Sequence, residues 1–159
     1  MRSIPGQRIA KSILIVWRIK AFFESIFLGL IPIGYYYITY SFQWPVWILQ
    51  LVIVLYVSFI MWYLFLLPYL TWKNWRYDVL DEQIELKYGV WVKKRTLIPM
   101  NRVQHVDMEQ GPLMKKYQLA AVTISTAATT HVIPGLYLDE ANKLRNQIVN
   151  LVILVNQDE

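Results

Sequence analysis

The chain contains no cysteine, which removes disulfide scaffolds, thiolate metal sites and cysteine nucleophiles at once. Histidine is almost as scarce, present only as His105 and His131. The six glycines are not spaced to cradle a phosphate. Charge is thin too, at 17% of residues against about 25% in soluble domains. The deficit is concentrated: residues 25–72, between Glu24 and Lys73, hold no Asp, Glu, Lys, Arg or His over 48 positions. A bilayer span takes about 20 apolar residues, so this block is long enough for two. The same absence argues against transport chemistry, because proton relays and ion-coupled carriers place an ionisable group at mid-membrane.

The charges that are present sit unevenly. Residues 1–73 carry Arg2, Arg8, Lys11, Arg18, Lys20 and Lys73 against Glu24 alone, which accounts for the whole net charge of +5, while residues 74–159 carry ten of each sign. A nucleic-acid footprint would be a basic patch on a folded domain, so no nucleic-acid partner is expected. The excess follows the positive-inside pattern of membrane proteins instead. A cleaved signal peptide is disfavoured, since no small-residue cleavage site follows the first apolar run, where Tyr35, Tyr36 and Tyr37 stand.

These patterns predict a basic juxtamembrane arm over residues 1–20, where Ile9, Ile13, Val16 and Trp17 recur at helical spacing. Two transmembrane helices are expected over about 21–38 and 46–69, joined by a short polar-aromatic turn over residues 39–45. Trp44, Trp47, Trp72 and Trp75 fall where an aromatic belt would lie. Basic residues flank the outer ends and not the turn. The expected location is therefore the cell membrane, multi-pass, with both termini cytosolic.

Beyond Trp75 the pattern becomes strands and turns, giving a domain over 74–159. Alternation marks Trp75–Val79, Ile84–Tyr88, Val90–Ile98 and Arg102–Glu109, with Gly89 and Pro99 as breaks. Ala120–Thr126 and His131–Ile133 read as further strands, the latter stopped by Pro134 and Gly135. From Asp139 an amphipathic helix follows, with Ala141, Leu144, Ile148, Leu151, Val152 and Val155 as its apolar stripe. The expected fold is a membrane α-helical hairpin plus a mainly-β domain of six or seven antiparallel strands closed by a C-terminal helix.

Candidate chemistry is sparse. His105 and Asp107 alternate onto one strand face, but a metal site needs at least three ligands and only His131 could complete it. Ser125, Thr126, Thr129 and Thr130 beside His131 lack the strained elbow and orienting acid of a nucleophilic site. Catalytic residues, metal ligands and cofactors are therefore not expected. Lys93, Lys94 and Arg95, with Lys115 and Lys116, could touch anionic headgroups or a partner, each contact with lipid contributing about 1 kcal/mol.

Arg76-Tyr77, Gly89, Lys94-Arg95, Ile98-Pro99, Arg102-Val103-Gln104-His105-Val106-Asp107 and Gln110-Gly111-Pro112-Leu113 together resemble the bacterial pleckstrin-homology-like membrane proteins of the YdbS type. His131-Val132-Ile133-Pro134-Gly135-Leu136 and Asp139-Glu140-Ala141 match the same pattern. The resemblance implies a PH-like split barrel of about seven strands with a C-terminal helix and no catalytic activity. It also implies a structural role for the motif residues Arg102, Gln104, His105, Asp107, Gln110, Gly111, Pro112, Pro134 and Gly135. The expected function is a non-enzymatic membrane-anchored module that mediates protein interaction at the inner face of the membrane. Its partner would be another membrane protein, such as a related PH-like protein. The alternatives are a sensor of anionic lipid and an accessory subunit of a membrane enzyme or transporter complex.

Overall fold

In the computed structural model, which describes residues 6–157, the first apolar run does not form one unbroken helix. Helix α1 (Ile13–Leu28) ends at Gly29, and α2 (Leu30–Phe42) begins directly after it. Pro32 is tolerated because it falls in the first turn of α2, where its missing N–H is no loss. Gln43 then closes α2 in the left-handed region at φ 54°, and Pro45 stands before α3 (Val46–Met61). A π-helical turn (Trp62–Leu66) joins α3 to α4 (Leu67–Asn74), so that Val46–Asn74 is one continuous helix of 29 residues.

Among the described residues, this is the one helix long and apolar enough to cross a membrane. The expectation of two spans, and with it the multi-pass location with both termini cytosolic, is corrected here. Helix α1 carries Arg18, Lys20 and Glu24 within its 16 residues. Helix α2 has 13 residues, about 20 Å at 1.5 Å each, against a hydrocarbon core of roughly 30 Å. Arg2 of the expected basic arm lies outside the described residues.

The described chain divides into two compact units, Ile15–Leu70 and the described residues of Met1–Leu14 with Thr71–Glu159. In the helical unit, Gly29 allows a close approach: the Tyr56 hydroxyl donates to the Ser25 carbonyl at 3.0 Å and lies 2.8 Å from where a Gly29 Cβ would sit. Lys20 and Glu24 pair along α1 at 3.8 Å, and the Arg18 guanidinium sits 5.3 Å from the Phe65 ring centre.

The other unit holds two antiparallel sheets. The first is ordered β1 (Gln7–Arg8), β2 (Arg76–Val79), β3 (Gln83–Tyr88) and β4 (Lys94–Pro99); the second is β5 (Val103–Glu109), β6 (Leu119–Thr126) and β7 (Thr130–Tyr137). The short helix α5 (Pro112–Lys116) joins β5 to β6, and α6 (Leu138–Gln157) follows β7. The sheets are open and separate, four strands and three, which corrects the expected split barrel. The physical break is local. Pro99 ends β4 without a backbone donor, and a 3-10 turn (Met100–Arg102) redirects the chain before β5, so β4 and β5 do not pair.

The core gathers apolar residues of both sheets and of α6. Ile84 and Leu86 on β3, Val122 and Ile124 on β6, and Ile133 on β7 are all fully enclosed, as are Ala141 and Ile148 on α6, with Leu144 beside them. The N-terminal arm belongs to this core. Ile9 and Ile13 are buried, the Trp72 indole N–H donates to the Ile9 carbonyl at 3.0 Å, and the Ala10 amide donates to the Gly135 carbonyl at 2.8 Å.

Candidate functional site

The β3–β4 connection is shaped by Gly89, whose φ of 114° and whose distance of 2.0 Å from an added Cβ to the Val92 carbonyl oxygen leave no room for a side chain. That turn occupies Val90–Lys93, which is why β4 begins at Lys94 rather than at Val90. Lys93 and Lys94 are exposed there. Arg95, two residues on from Lys93, is committed to an intramolecular partner. Its Nη2 donates to Glu85 Oε2 at 2.9 Å and its Nε faces Oε1 of the same carboxylate. Glu85 is only 4% exposed, so this bidentate contact is what makes its burial tolerable. The hydrogen bond to Glu85 raises the Arg95 guanidinium further above its ordinary value, against an opposing effect of desolvation.

Lys115 and Lys116 stand exposed at the end of α5. The sequence thus groups five basic residues that the fold separates into a β-hairpin set and a short-helix set, with Arg95 engaged. Trp91 and Val92, at the tip between Gly89 and Lys93, are the most exposed apolar residues of the sheet unit, at 82% and 79%.

The motif residues divide by position. Gln110 donates from Nε2 to the Leu119 carbonyl at 2.9 Å, tying the exit of β5 to the start of β6. Gly111 precedes α5, its carbonyl accepting the Lys115 amide at 2.8 Å, and Pro112 takes the first helical position. At Pro134 and Gly135 strand β7 does not stop; it bulges, with a register shift against β6 between Ala120 and Val122. Gly135 has φ 63°, and a Cβ there would lie 2.5 Å from Ile13 Cγ1.

Arg102 and Gln104 are exposed and line a cleft of about 450 Å³ together with Pro99, Asn101, Thr129 and His131. His131 Nε2 is 2.9 Å from Thr129 Oγ1, and no carboxylate lines this cleft. His105 and Asp107 face Ser125 and Thr123 across the β5–β6 ladder, whereas Val106 and His131 both flank Ile124. His131 therefore projects to the opposite face of the sheet from His105 and Asp107, and the three do not share an ion. Among the described residues no cluster of His, Asp and Glu could hold a metal.

Two features of this unit are invisible in the pattern of residues. Strand β1 is two residues long and carries no alternation. The Glu85–Arg95 pair depends on the β3–β4 register, although alternation along a hairpin offers both residues to one face. Tyr77, buried on β2 to 4% exposure, has its hydroxyl pushed up to about 12 by burial first, and then by the charges of Glu140 and Asp78.

Among known proteins, the family described as the bacterial PH domain matches residues 12–152. The chain is similar to the UPF0699 transmembrane protein YdbS of Bacillus subtilis (strain 168), with 40% identity over 158 residues that cover 99% of each chain. No solved structure matches it.

Proposed function

This chain belongs to the bacterial PH domain family, and on that footing we propose that it is a membrane-tethered module whose sheet unit binds a partner protein. PH domains are non-catalytic scaffolds, and the chain is not an enzyme. The observation that carries the tether is the continuous helix Val46–Asn74, with Leu51, Val54, Leu55, Phe59 and Phe65 all exposed along it. Water would penalise that surface and lipid would not. The relative's description as a transmembrane protein supports the same assignment. Lys73 in the last turn of the helix and Arg76 just beyond it border the sheet unit, and by the positive-inside rule these cations support its placement at the inner face. Holding a binding module in a surface layer raises its effective concentration towards a partner held in the same layer.

The test is photo-crosslinking in intact membranes, with the probe placed in turn at Lys94, His105 and Lys116. A discrete adduct that depends on probe position is expected. Release of the chain by alkaline carbonate refutes the tether, and the absence of any adduct above background at all three positions refutes the interaction reading.

A second reading is favoured by the exposure of Lys93, Lys94, Lys115 and Lys116, which could meet anionic headgroups. Full-length protein in nanodiscs should then associate with added vesicles in proportion to their anionic lipid. Association independent of lipid charge refutes it.

A further inference from the structure

Residues that face one another across an antiparallel ladder project from the same side of the sheet. In the four-stranded sheet one such row is cationic throughout. Arg8 lies opposite Arg76, Arg76 opposite Lys87, and Lys87 opposite Arg95. Each strand contributes one charge. The neighbouring row on the same side holds Asp78, Glu85 and Leu97. Glu85 is taken by Arg95, and Asp78 Oδ1 accepts the Val79 amide at 3.0 Å. Among the described residues no ion pair neutralises Arg8, Arg76 or Lys87. Like charges directly opposite destabilise a sheet, so a surface arranged for stability alone would alternate their signs.

The geometry points to the occupant, and we propose that the three cations of the row left outside ion pairs, Arg8, Arg76 and Lys87, dock an acidic helical segment of a partner protein lying across the strands. Strands lie about 4.8 Å apart, so the three charges span roughly 10 Å. A helix advances 5.4 Å per turn, and a stripe of one Asp or Glu per turn over two turns covers about 11 Å. The row is one residue wide and bordered by Asp78 and Glu85. A planar anionic membrane would press on those carboxylates, whereas a narrow helix need not. This inference rests on the interaction-module reading and specifies its surface and the chemistry of its partner.

The experiment uses the full chain in zwitterionic nanodiscs and a fluorescent alanine-based helical peptide with one glutamate stripe. A second peptide has the same composition with its glutamates spread around the helix. Anisotropy at low salt should show the striped peptide binding about fivefold more tightly than its permuted counterpart. Arg76→Gln with Lys87→Gln should weaken the striped peptide about tenfold, and Arg8→Gln, on the edge strand, about threefold. Arg145→Gln on α6 should change nothing. Circular dichroism verifies that each variant is folded. Equal affinity for the two peptides, or unchanged affinity in the row variants, overturns the proposal. So does displacement of the peptide by anionic vesicles through these same residues, which would make the row a reader of headgroups. A crosslinked partner that survives Arg76→Gln with Lys87→Gln overturns the row and leaves the interaction reading standing. Failure of every crosslink in the wild type removes the interaction reading, while the peptide titration still decides the row.

Discussion

The contact between Gly135 and Ile13 gives the sharpest test of how the N-terminal arm is held. Gly135→Ala introduces two separable costs. The backbone at φ 63° is in the left-handed region, which an alanine occupies at a cost of about 1–2 kcal/mol. The new Cβ would also lie 2.5 Å from Cγ1 and 2.6 Å from Cβ of Ile13, atoms at the start of α1 that cannot swing aside as a side-chain tip can. Overpacking of that kind costs about 1–3 kcal/mol. Together they give about 2–5 kcal/mol. In an Ile13→Gly background, which removes both Cγ1 and Cβ, the clash disappears and the backbone cost stays, so Gly135→Ala should then cost only about 1–2 kcal/mol. The coupling energy of the cycle should equal the difference, about 1–3 kcal/mol. Denaturant unfolding of the full chain in detergent micelles, followed by the fluorescence of buried Trp72 and Trp75, measures it. Hydrogen exchange at the Ala10 amide gives a local readout, since that amide donates to the Gly135 carbonyl. An equal cost in both backgrounds would show that Ile13 does not make the contact, and the account of the arm would be wrong.

Two further outcomes follow from the sheet unit. Arg95→Ala strands the Glu85 carboxylate, 4% exposed, without its cation and should cost about 1–3 kcal/mol, whereas replacing both residues by leucine should be close to neutral. A neutral Arg95→Ala in thermal unfolding refutes the role given to the pair. Tyr77 has a folded-state pKa of about 12 against an ordinary 10.0, so between those values the unfolded chain binds fewer protons than the folded one. Stability from this group is fully present below pH 10 and falls as pH rises from 10 to 12, by about 1–2 kcal/mol after allowance for solvent screening. Tyr77→Phe should remove that part of the slope, and equal slopes in the two proteins would sink the assignment.

Much of the sheet unit is legible in the amino-acid pattern alone. Alternation locates β3 and β5 to within a residue or two, and the apolar run Ala120–Ile124 locates β6, which is buried on both faces from Leu119 to Ile124. The stripe Ala141, Leu144 and Ile148 marks the buried face of α6. Pattern and fold part where a tertiary contact overrides the local signal. Pro134 and Gly135 read as a strand stop, yet the ladder absorbs them as a bulge because the arm approaches there. Val90–Lys93 read as strand, but the positive φ of Gly89 commits them to a turn. The first apolar run reads as a membrane span by length alone, although it combines a charged helix with a short one on either side of Gly29. The separation into two open sheets is a fact of hydrogen bonding between strands, which periodicity within a strand does not encode. Of the site residues, the pattern identifies Lys93, Lys94, Lys115 and Lys116 as accessible, but not that Arg95 is occupied.

The pairing of β1 with β2 has a consequence for the order of events in synthesis. Gln7 meets Tyr77, and Ala10 meets Gly135, across intervals of chain that include the whole helical unit. The arm is therefore made before either of its partners, and its contact at Gly135 waits until β7 has been made. Until the arm docks, the outer edge of β2 is a bare row of amides and carbonyls, open to any extended chain that reaches it first. Excising residues 74–159 as a soluble fragment makes that interval permanent, leaving the edge open and the Trp72 and Ile13 contacts missing. Such a fragment should associate with itself through β2, and the arm supplied as a separate peptide should compete with that association.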